Sequence, residues 1–530
     1  MGRLGIDFGT SNTVLAVWDD AQKDGRPWAP GDLSRTLPSG GEDVPVVPSI
    51  IHFASTGEQW LGQQVKARNL YESAGTFCWM KTAISRRNPS VVRVDGRNIT
   101  QADAGRDFLS QVLALAANDL VIGDEEVAFT VPVESFEHYT EWLGGVAEAA
   151  GIKRYRFIDE PSAAALGYGA HIQPGNVYAV FDFGGGTLDV AIVRIEHDED
   201  SGGGRKCRVL GKAGEELGGS IIDQWLFNEV LKRNQKHASD DDVRQLSREM
   251  LVRCEEAKER LSSNEEAEVS VMNPETGAMI ETLFTRSEFE GLLDERGAFD
   301  SINKTIRRAL NQAVQRGVSE DDVHSVLMLG GSSLIPCVQK AVQGFFGQER
   351  VRLDRPLDAV ARGAAAFVAG VDFYDHIHHD YAVRWVNPAK SDYEYRAIVP
   401  RGTAYPSKEA VARLSIKATY EGQKKLGIAI FEMGDTPRGS GNEQPVEFVF
   451  DPTGAARMRT VSVDEADRRA RFWMNEHSPT FLEADPPGKP GEARFQVEFS
   501  IDGNKRLLIT ARDLRTQKLV LKDYPVVKLT

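Results

Sequence analysis

The sequence predicts a two-lobed α/β domain followed by an all-β, sandwich-like module. Three observations carry this reading. First, an acidic hairpin occurs twice. Residues 4–17 contain Asp7-Phe8-Gly9-Thr10-Ser11-Asn12, and residues 181–193 contain Asp182-Phe183-Gly184-Gly185-Gly186-Thr187. In each, a strand ends in aspartate, turns through glycine and a hydroxyl residue, and returns as a second strand. Second, apolar strands alternate with helix-period segments up to about residue 372. Third, helical periodicity stops there, and short alternating segments take over.

The elements follow in order. Residues 19–45 are rich in Asp, Gly and Pro, lack periodicity and read as a loop insertion. Residues 46–53 regain strand character. Phe108, Leu109, Val112, Leu115 and Ala116 set a helix over 106–120. A strand at 126–131 ends at Pro132, and a further helix stops at Ala150-Gly151, where glycine suits the C-terminus. Pro161 suits a first helical turn after Asp159-Glu160. The second hairpin (177–195) precedes a solvated loop at 196–206. The helix over 241–262 buries Val243, Leu246, Met250, Leu251, Cys254, Ala257 and Leu261 on one face. A strand at 323–329 leads into Gly330-Gly331-Ser332, and the alanine-rich helix 358–369 suits close packing. In the tail, strands are read at 414–420, 426–433, 446–450 and 518–529. A hairpin turns at Asp502-Gly503-Asn504, and a loop is read at 485–491.

At 530 residues, with 41% hydrophobic and 27% charged residues, the composition is that of a multi-domain globular protein. A net charge of -15 argues against nucleic-acid and anionic-membrane partners. The four cysteines are scattered without a Cys-x-x-Cys pair, so neither a zinc nor a disulfide framework is expected. The first strand starts close to Met1, which leaves no room for a signal peptide, and no apolar run is long enough to span a bilayer. A cytoplasmic setting is expected.

The paired turns have a chemical meaning. Successive backbone N–H groups in Gly9-Thr10-Ser11-Asn12 and Gly184-Gly185-Gly186-Thr187 can nest phosphate oxygens. Glycine lets the phosphate sit where a Cβ would be. Asp7 and Asp182 would repel a phosphate chain unless hydrated magnesium lay between them, so the pair implies a metal. No P-loop and no dinucleotide fingerprint is present.

At these residues the chain resembles the DnaK family of seventy-kilodalton heat-shock chaperones, within the actin, sugar-kinase and heat-shock ATPase superfamily. The matching segments are Gly5–Thr10, Val131-Pro132, Asp159–Ala165, the 181–193 hairpin, Leu217-Gly218-Gly219, Cys254–Lys258, Leu261–Ser263 and Leu329–Ser332 with Ile335-Pro336. The likeness covers about residues 1–372 and is weaker beyond 380. It implies an actin-like ATPase domain of duplicated ribonuclease-H-like halves at 1–372, a linker at 373–380 and a β-sandwich at 381–530. It implies ATP hydrolysis with magnesium and potassium ions, and ATP or ADP as ligand. Lys81 matches the lysine that reaches the γ-phosphate, although by residue type alone it reads as a surface lysine. Asp182 is first choice to orient the attacking water. Asp7 and Glu160, with Asp182, would hold the hydrated metal. Thr187 matches a γ-phosphate hydroxyl contact. Asp189 matches an acid near the site or pins its turn. Glu255, Lys258 and Ser262 match ribose and adenine contacts, and Gly218, Gly219, Gly330, Gly331 and Ser332 line the nucleotide.

The chain departs from the family at several points. Glu259 and Leu334 stand where two arginines sandwich the adenine, and Arg260 points about 100° away from the Glu259 position on an ideal helix. Leu357 replaces the acid after Pro356, and Asp358 follows it. Thr140 replaces an arginine. The linker reads Val371-Asp372-Phe373-Tyr374-Asp375-His376-Ile377-His378-His379-Asp380, with histidines expected to be exposed rather than metal-bound. The strand module leaves no length for a helical lid before Thr530, so short-lived peptide binding is expected. The resemblance implies extended or unfolded polypeptide clients and a co-chaperone or nucleotide-exchange factor as partners. Three rival readings are a regulatory scaffold with little turnover, a small-molecule kinase of the same fold, and an actin-like filament protein.

Overall fold

The computed structural model describes residues 3–87, 90–120, 127–132, 137–169, 173, 175–197, 205–274, 276–370, 377, 379–387, 392–401, 403, 407, 409–434, 446–450, 456–460, 462, 465, 468, 470–476, 478–502 and 505–529. They fall into two compact units. One comprises Met1–Val133, Tyr139–Tyr374 and Pro437–Ser462; the other comprises Glu134–His138, Asp375–Thr436 and Val463–Thr530. The hairpin of strands Val446–Phe450 and Ala456–Thr460, read from sequence as part of the β-module, belongs to the first unit. Strand composition sets secondary structure but does not say which unit a strand joins. Most of the linker expected at 373–380 lies outside the described residues.

The first unit contains two sheets built to one plan. In the first, Leu4–Phe8 pairs antiparallel with Asn12–Asp19 and parallel with Val127–Val131, which pairs parallel with Tyr155–Asp159. In the second, Val177–Phe183 pairs antiparallel with Leu188–His197 and parallel with Val323–Leu329, which pairs parallel with Val351–Arg352. Arg205–Glu215 completes the second sheet beyond Leu188–His197. Each acidic hairpin therefore starts the central strand of its own sheet.

Residues 19–45 are not a loop. Strand Asp24–Trp28 pairs with Asn12–Asp19, and strands Arg35–Ser39 and Glu42–Pro48 pair with each other and extend the same sheet. Prolines at 27, 38, 45 and 48 hide this from a propensity reading, and sheet pairing overrides it. Helix Gln101–Asp119 starts five residues earlier than expected, because Thr100 and Asp103 form a capping box. It buries Leu113, whereas Leu115 is exposed.

Helices Glu160–Gly167 and Ala359–Val368 pack together, with core side chains from both sheets around them. Their contact needs residues without side chains. A Cβ added at Gly363 would lie 1.6 Å from the Ala163 carbonyl oxygen, and one at Gly167 would lie 1.8 Å from that of Ala359. A Cβ on Gly5 would meet the Ala365 nitrogen at 2.3 Å, so the same helix also presses on the central strand of the first sheet.

In the second unit, one sheet runs Asp392–Val399, Asp380–Asn387, Ile430–Met433 and Arg471–Trp473. Another runs Ala412–Lys417, Ala493–Ile501, Arg506–Asp513 and Leu519–Lys528. Tyr381, Val383 and Ile430 share a core with Phe495, Val497, Phe499, Leu507 and Ile509. The strand expected over 426–433 is two strands. Gln423–Ile428 pairs with Thr480–Gly488, whereas Ile430–Met433 pairs with Asp380–Asn387. Buried Asn475 spans the break, donating to the Ile428 carbonyl at 2.8 Å and accepting from the Ile430 N–H at 2.9 Å. Thr480–Gly488 also runs through Pro486 and Pro487, which were read as loop. Its register shifts there between Lys425 and Gln423, and such irregularities tolerate proline. Of the turn expected at 502–504, only Asp502 is among the described residues.

The helix contact yields a prediction. Gly363→Ala should destabilise the protein by about 3 kcal/mol or more, because backbone must move. Gly291→Ala, on helix Arg286–Glu295 with open space at the added methyl, should stabilise it by about 1 kcal/mol. Denaturant melts of the two variants would separate them; equal shifts would contradict the crossing.

Candidate functional site

The two acidic hairpins bring their turns together. Asp7 sits one residue before the end of its strand and accepts from the Thr130 hydroxyl at 2.8 Å. Asp182 sits one residue before the end of its own strand, opposite Asp189. A Cβ on Gly185 would lie 2.7 Å from Ser11 Oγ, and one on Gly186 would lie 2.8 Å from both Thr10 Oγ1 and Thr82 Oγ1. Side chains at 185 and 186 would therefore hold the turns apart. Gly9 is needed in its own turn, since a Cβ there would meet the Asn12 carbonyl oxygen at 2.2 Å.

Glu160 and Lys81 meet where these turns converge. Asp159 caps helix Glu160–Gly167 by accepting from the Ser162 N–H, which places Glu160 in the first helical turn. Helix Met80–Ser85 is entered through Trp79 at φ 56°, a left-handed conformation that strains a bulky residue. Lys81, one residue into that helix, pairs directly with Glu160, and both side chains are more than nine-tenths buried. A surface lysine is thereby ruled out.

The electrostatics are those of crowded like charges. Burial, then Glu160, Asp189 and Asp7, push the Asp182 carboxyl well above the usual carboxylate range, and Lys81 opposes them. Burial also raises Glu160, with Lys81 pulling down and Asp7 pushing up. Asp189 is pushed up to about 7 by burial and Glu160, despite a hydrogen bond from Thr187. Burial alone would depress Lys81, but Glu160, Tyr139 and Asp7 together hold its ammonium above the ordinary lysine value. Four carboxyls thus crowd around the Lys81 ammonium, with Lys212 also acting on Asp189, an arrangement that favours a further cation. Among the described residues no three His, Cys, Asp or Glu converge as ligands of a bare metal ion. The donor set fits a hydrated divalent ion, reached through its waters.

The remaining sequence-derived residues divide. Gly218 and Gly219 pack on the second turn: a Cβ on Gly218 would lie 2.4 Å from the Gly186 carbonyl carbon, and Gly219 N–H donates to the Gly184 carbonyl at 3.0 Å. Ser332 donates to the same carbonyl at 2.8 Å, and Gly330, at φ +79°, lies against Phe183. Gly331 has open space around it. Lys258 donates to the Gly219 carbonyl at 3.1 Å and pairs with Asp223 at 2.7 Å. Glu255 accepts from the Tyr71 hydroxyl at 2.6 Å. Ser262 spends its hydroxyl on the Lys258 carbonyl at the helix end. Thr187 likewise faces Asp189.

Asp358 is not brought to the turns. It pairs with Arg362 and lines a separate cavity of about 490 Å³ with Tyr168, Tyr178, His324 and Arg355. His379, expected to be exposed, is buried 3.7 Å from Glu432, while His376 and His378 lie outside the described residues. Sequence reading missed Asp223, Tyr139, Thr130, Thr82 and Arg35. Thr82 directly follows Lys81 in its helix; no local pattern marks the others, which reach the site from other segments. Asp223 lies buried under Lys258, and the Tyr139 hydroxyl is buried with no acceptor among the described residues.

Paired strand–turn–strand units over one cluster of buried carboxyls place this chain with two-lobed α/β proteins whose glycine turns face each other. The Hsp70 protein family model matches residues 126–445. The chaperone protein DnaK of Deinococcus proteolyticus is 27% identical over 97% of this chain and 77% of its own length. That of Thermosipho africanus is 26% identical over 97% of this chain and 78% of its own. The chain belongs to the Hsp70 family. It is an ATP hydrolase and an ATP-dependent molecular chaperone. The matches do not favour the scaffold, kinase or filament alternatives. Among the described residues no helix is long and apolar enough to cross a membrane.

The raised Asp189 sets a pH dependence. Its carboxyl is ordinary (3.8) when unfolded and about 7 when folded. Between those values the native state holds a proton that the unfolded chain has lost, so stability falls as pH rises through the window. Asp189→Asn should flatten that slope in metal- and nucleotide-free protein, gaining about 4 kcal/mol relative to wild type at pH 8 and nothing below pH 3.8. Urea melts across pH would show parallel curves if the carboxyl were unperturbed.

Proposed function

We propose that the two sheets are duplicated ribonuclease-H-like halves that hold ATP between the turns at residues 9–12 and 184–187. The shared strand order supports the duplication. The observation that carries the site is the buried Lys81–Glu160 pair surrounded by Asp7, Asp182 and Asp189.

In this reading the backbone N–H groups of both turns cradle the phosphates. A bound magnesium ion would neutralise phosphate charge, held through its waters by Asp7, Glu160 and Asp182. Asp182 orients the attacking water and accepts its proton. The Lys81 ammonium, kept charged and desolvated, stabilises negative charge developing on the γ-phosphoryl oxygens. Glu160 positions that lysine. Glu255, Lys258 and Ser332 flank the nucleoside, Lys258 being held by Asp223.

Hydrolysis then changes the affinity of the β-module for extended polypeptides, with a co-chaperone or exchange factor acting on the cycle in the cytoplasm. Lys81→Ala and Asp182→Asn should each lower phosphate release about 10²–10³-fold. Turnover equal to wild type in both would remove the assigned roles. Peptide affinity should differ between the ATP and ADP states, measured by fluorescence anisotropy of a labelled extended peptide. Equal affinities would remove the coupling.

A further inference from the structure

We propose that Arg35 is a nucleotide-holding residue, contributed by the hairpin of strands Arg35–Ser39 and Glu42–Pro48. The guanidinium Nη2 donates to Asn12 Oδ1 at 3.5 Å and lies 3.7 Å from Glu259 Oε1. It therefore spans from the first glycine turn to the helix Asp241–Leu261 that carries Glu255 and Lys258. Any nucleotide with its phosphates at the turn and its nucleoside at that helix passes beside this guanidinium. The inference rests on that reading of the cleft.

Three features separate Arg35 from an ordinary surface ion pair. Its side chain is about four-fifths buried. Its Nε–H is buried with no acceptor among the described residues, and a desolvated donor of this kind is costly to leave unpaired. Its contacts to Asn12 and Glu259 are both long, which leaves the planar fork free to shorten onto phosphate or ribose oxygens. Glu259 is about half exposed and pairs with the same Nη2 that reaches Asn12. The helix position that would have carried a stacking cation thus carries an acid that holds a cation supplied by the hairpin. Arg35 then slows nucleotide release in two ways, by direct donation and by tying the two sides of the cleft together through Glu259.

The test is stopped-flow dissociation of a fluorescent ATP analogue with magnesium, using the full chain and the variants Arg35→Ala, Arg35→Lys, Glu259→Ala and Arg35→Ala/Glu259→Ala. Arg35→Ala should raise the dissociation rate about tenfold and change the association rate less than about twofold. Arg35→Lys should restore part of the loss, because it keeps the charge but not the fork. The double variant should release nucleotide no faster than Arg35→Ala alone, since the pair acts as a unit. Release from Arg35→Ala at the wild-type rate, or independent multiplication of the two single effects, would overturn the proposal. Wild-type protein that binds no nucleoside triphosphate would instead overturn the cleft reading itself. Thermal melts of Arg35→Ala and Arg35→Lys exclude misfolding as the cause.

Discussion

Like charges forced together out of water are the constraint from which the rest of this protein follows. Asp7, Glu160, Asp182 and Asp189 crowd around the buried Lys81 ammonium, and neighbouring carboxylates raise the hold of Glu160, Asp182 and Asp189 on their protons. Left to itself the cluster opposes folding. The fold supports it with rigid parts: two central strands, a capped helix start and a strained entry to the Lys81 helix. A cation would relieve the cluster, so the crowding itself favours binding one.

The second requirement is absence of side chains. Gly185, Gly186 and Gly218 let two turns and a helix start approach within ordinary contact distance. Gly5, Gly167 and Gly363 do the same at the contact between the two helices packed on the sheets. The first set brings the two turns together; the second locks the framework that carries them. Because helix Ala359–Val368 also presses on the strand that ends near Asp7, tolerances at that contact bear directly on the site.

The helix Asp241–Leu261 carries one of the departures from the heat-shock pattern, Glu259. Lys258 is held by Asp223, and Glu255 by Tyr71, so both charged side chains are buried and paired. Glu259 faces Arg35. In the second unit a comparable substitution of side chain for backbone occurs at Asn475, whose amide replaces the ladder bonds lost where one strand becomes two.

The acidic turns, the helix starts at Asp159-Glu160-Pro161, the buried face of the 241–261 helix and the change to strands beyond 372 were legible in the chain, because each depends on neighbours a few residues away. Strand pairing within 19–45, the break at Ala429 and the run of Thr480–Gly488 through two prolines were not, since sheets are completed by residues far off in sequence. The same division holds at the site. Residue type named Asp7 and Asp182 as candidates, and the resemblance to heat-shock chaperones added Lys81. Only the packed structure made Lys81 a buried partner of Glu160, drew Asp223 and Arg35 to the helix and sent Asp358 to Arg362, because burial and charge proximity are properties of the assembled interior rather than of the string.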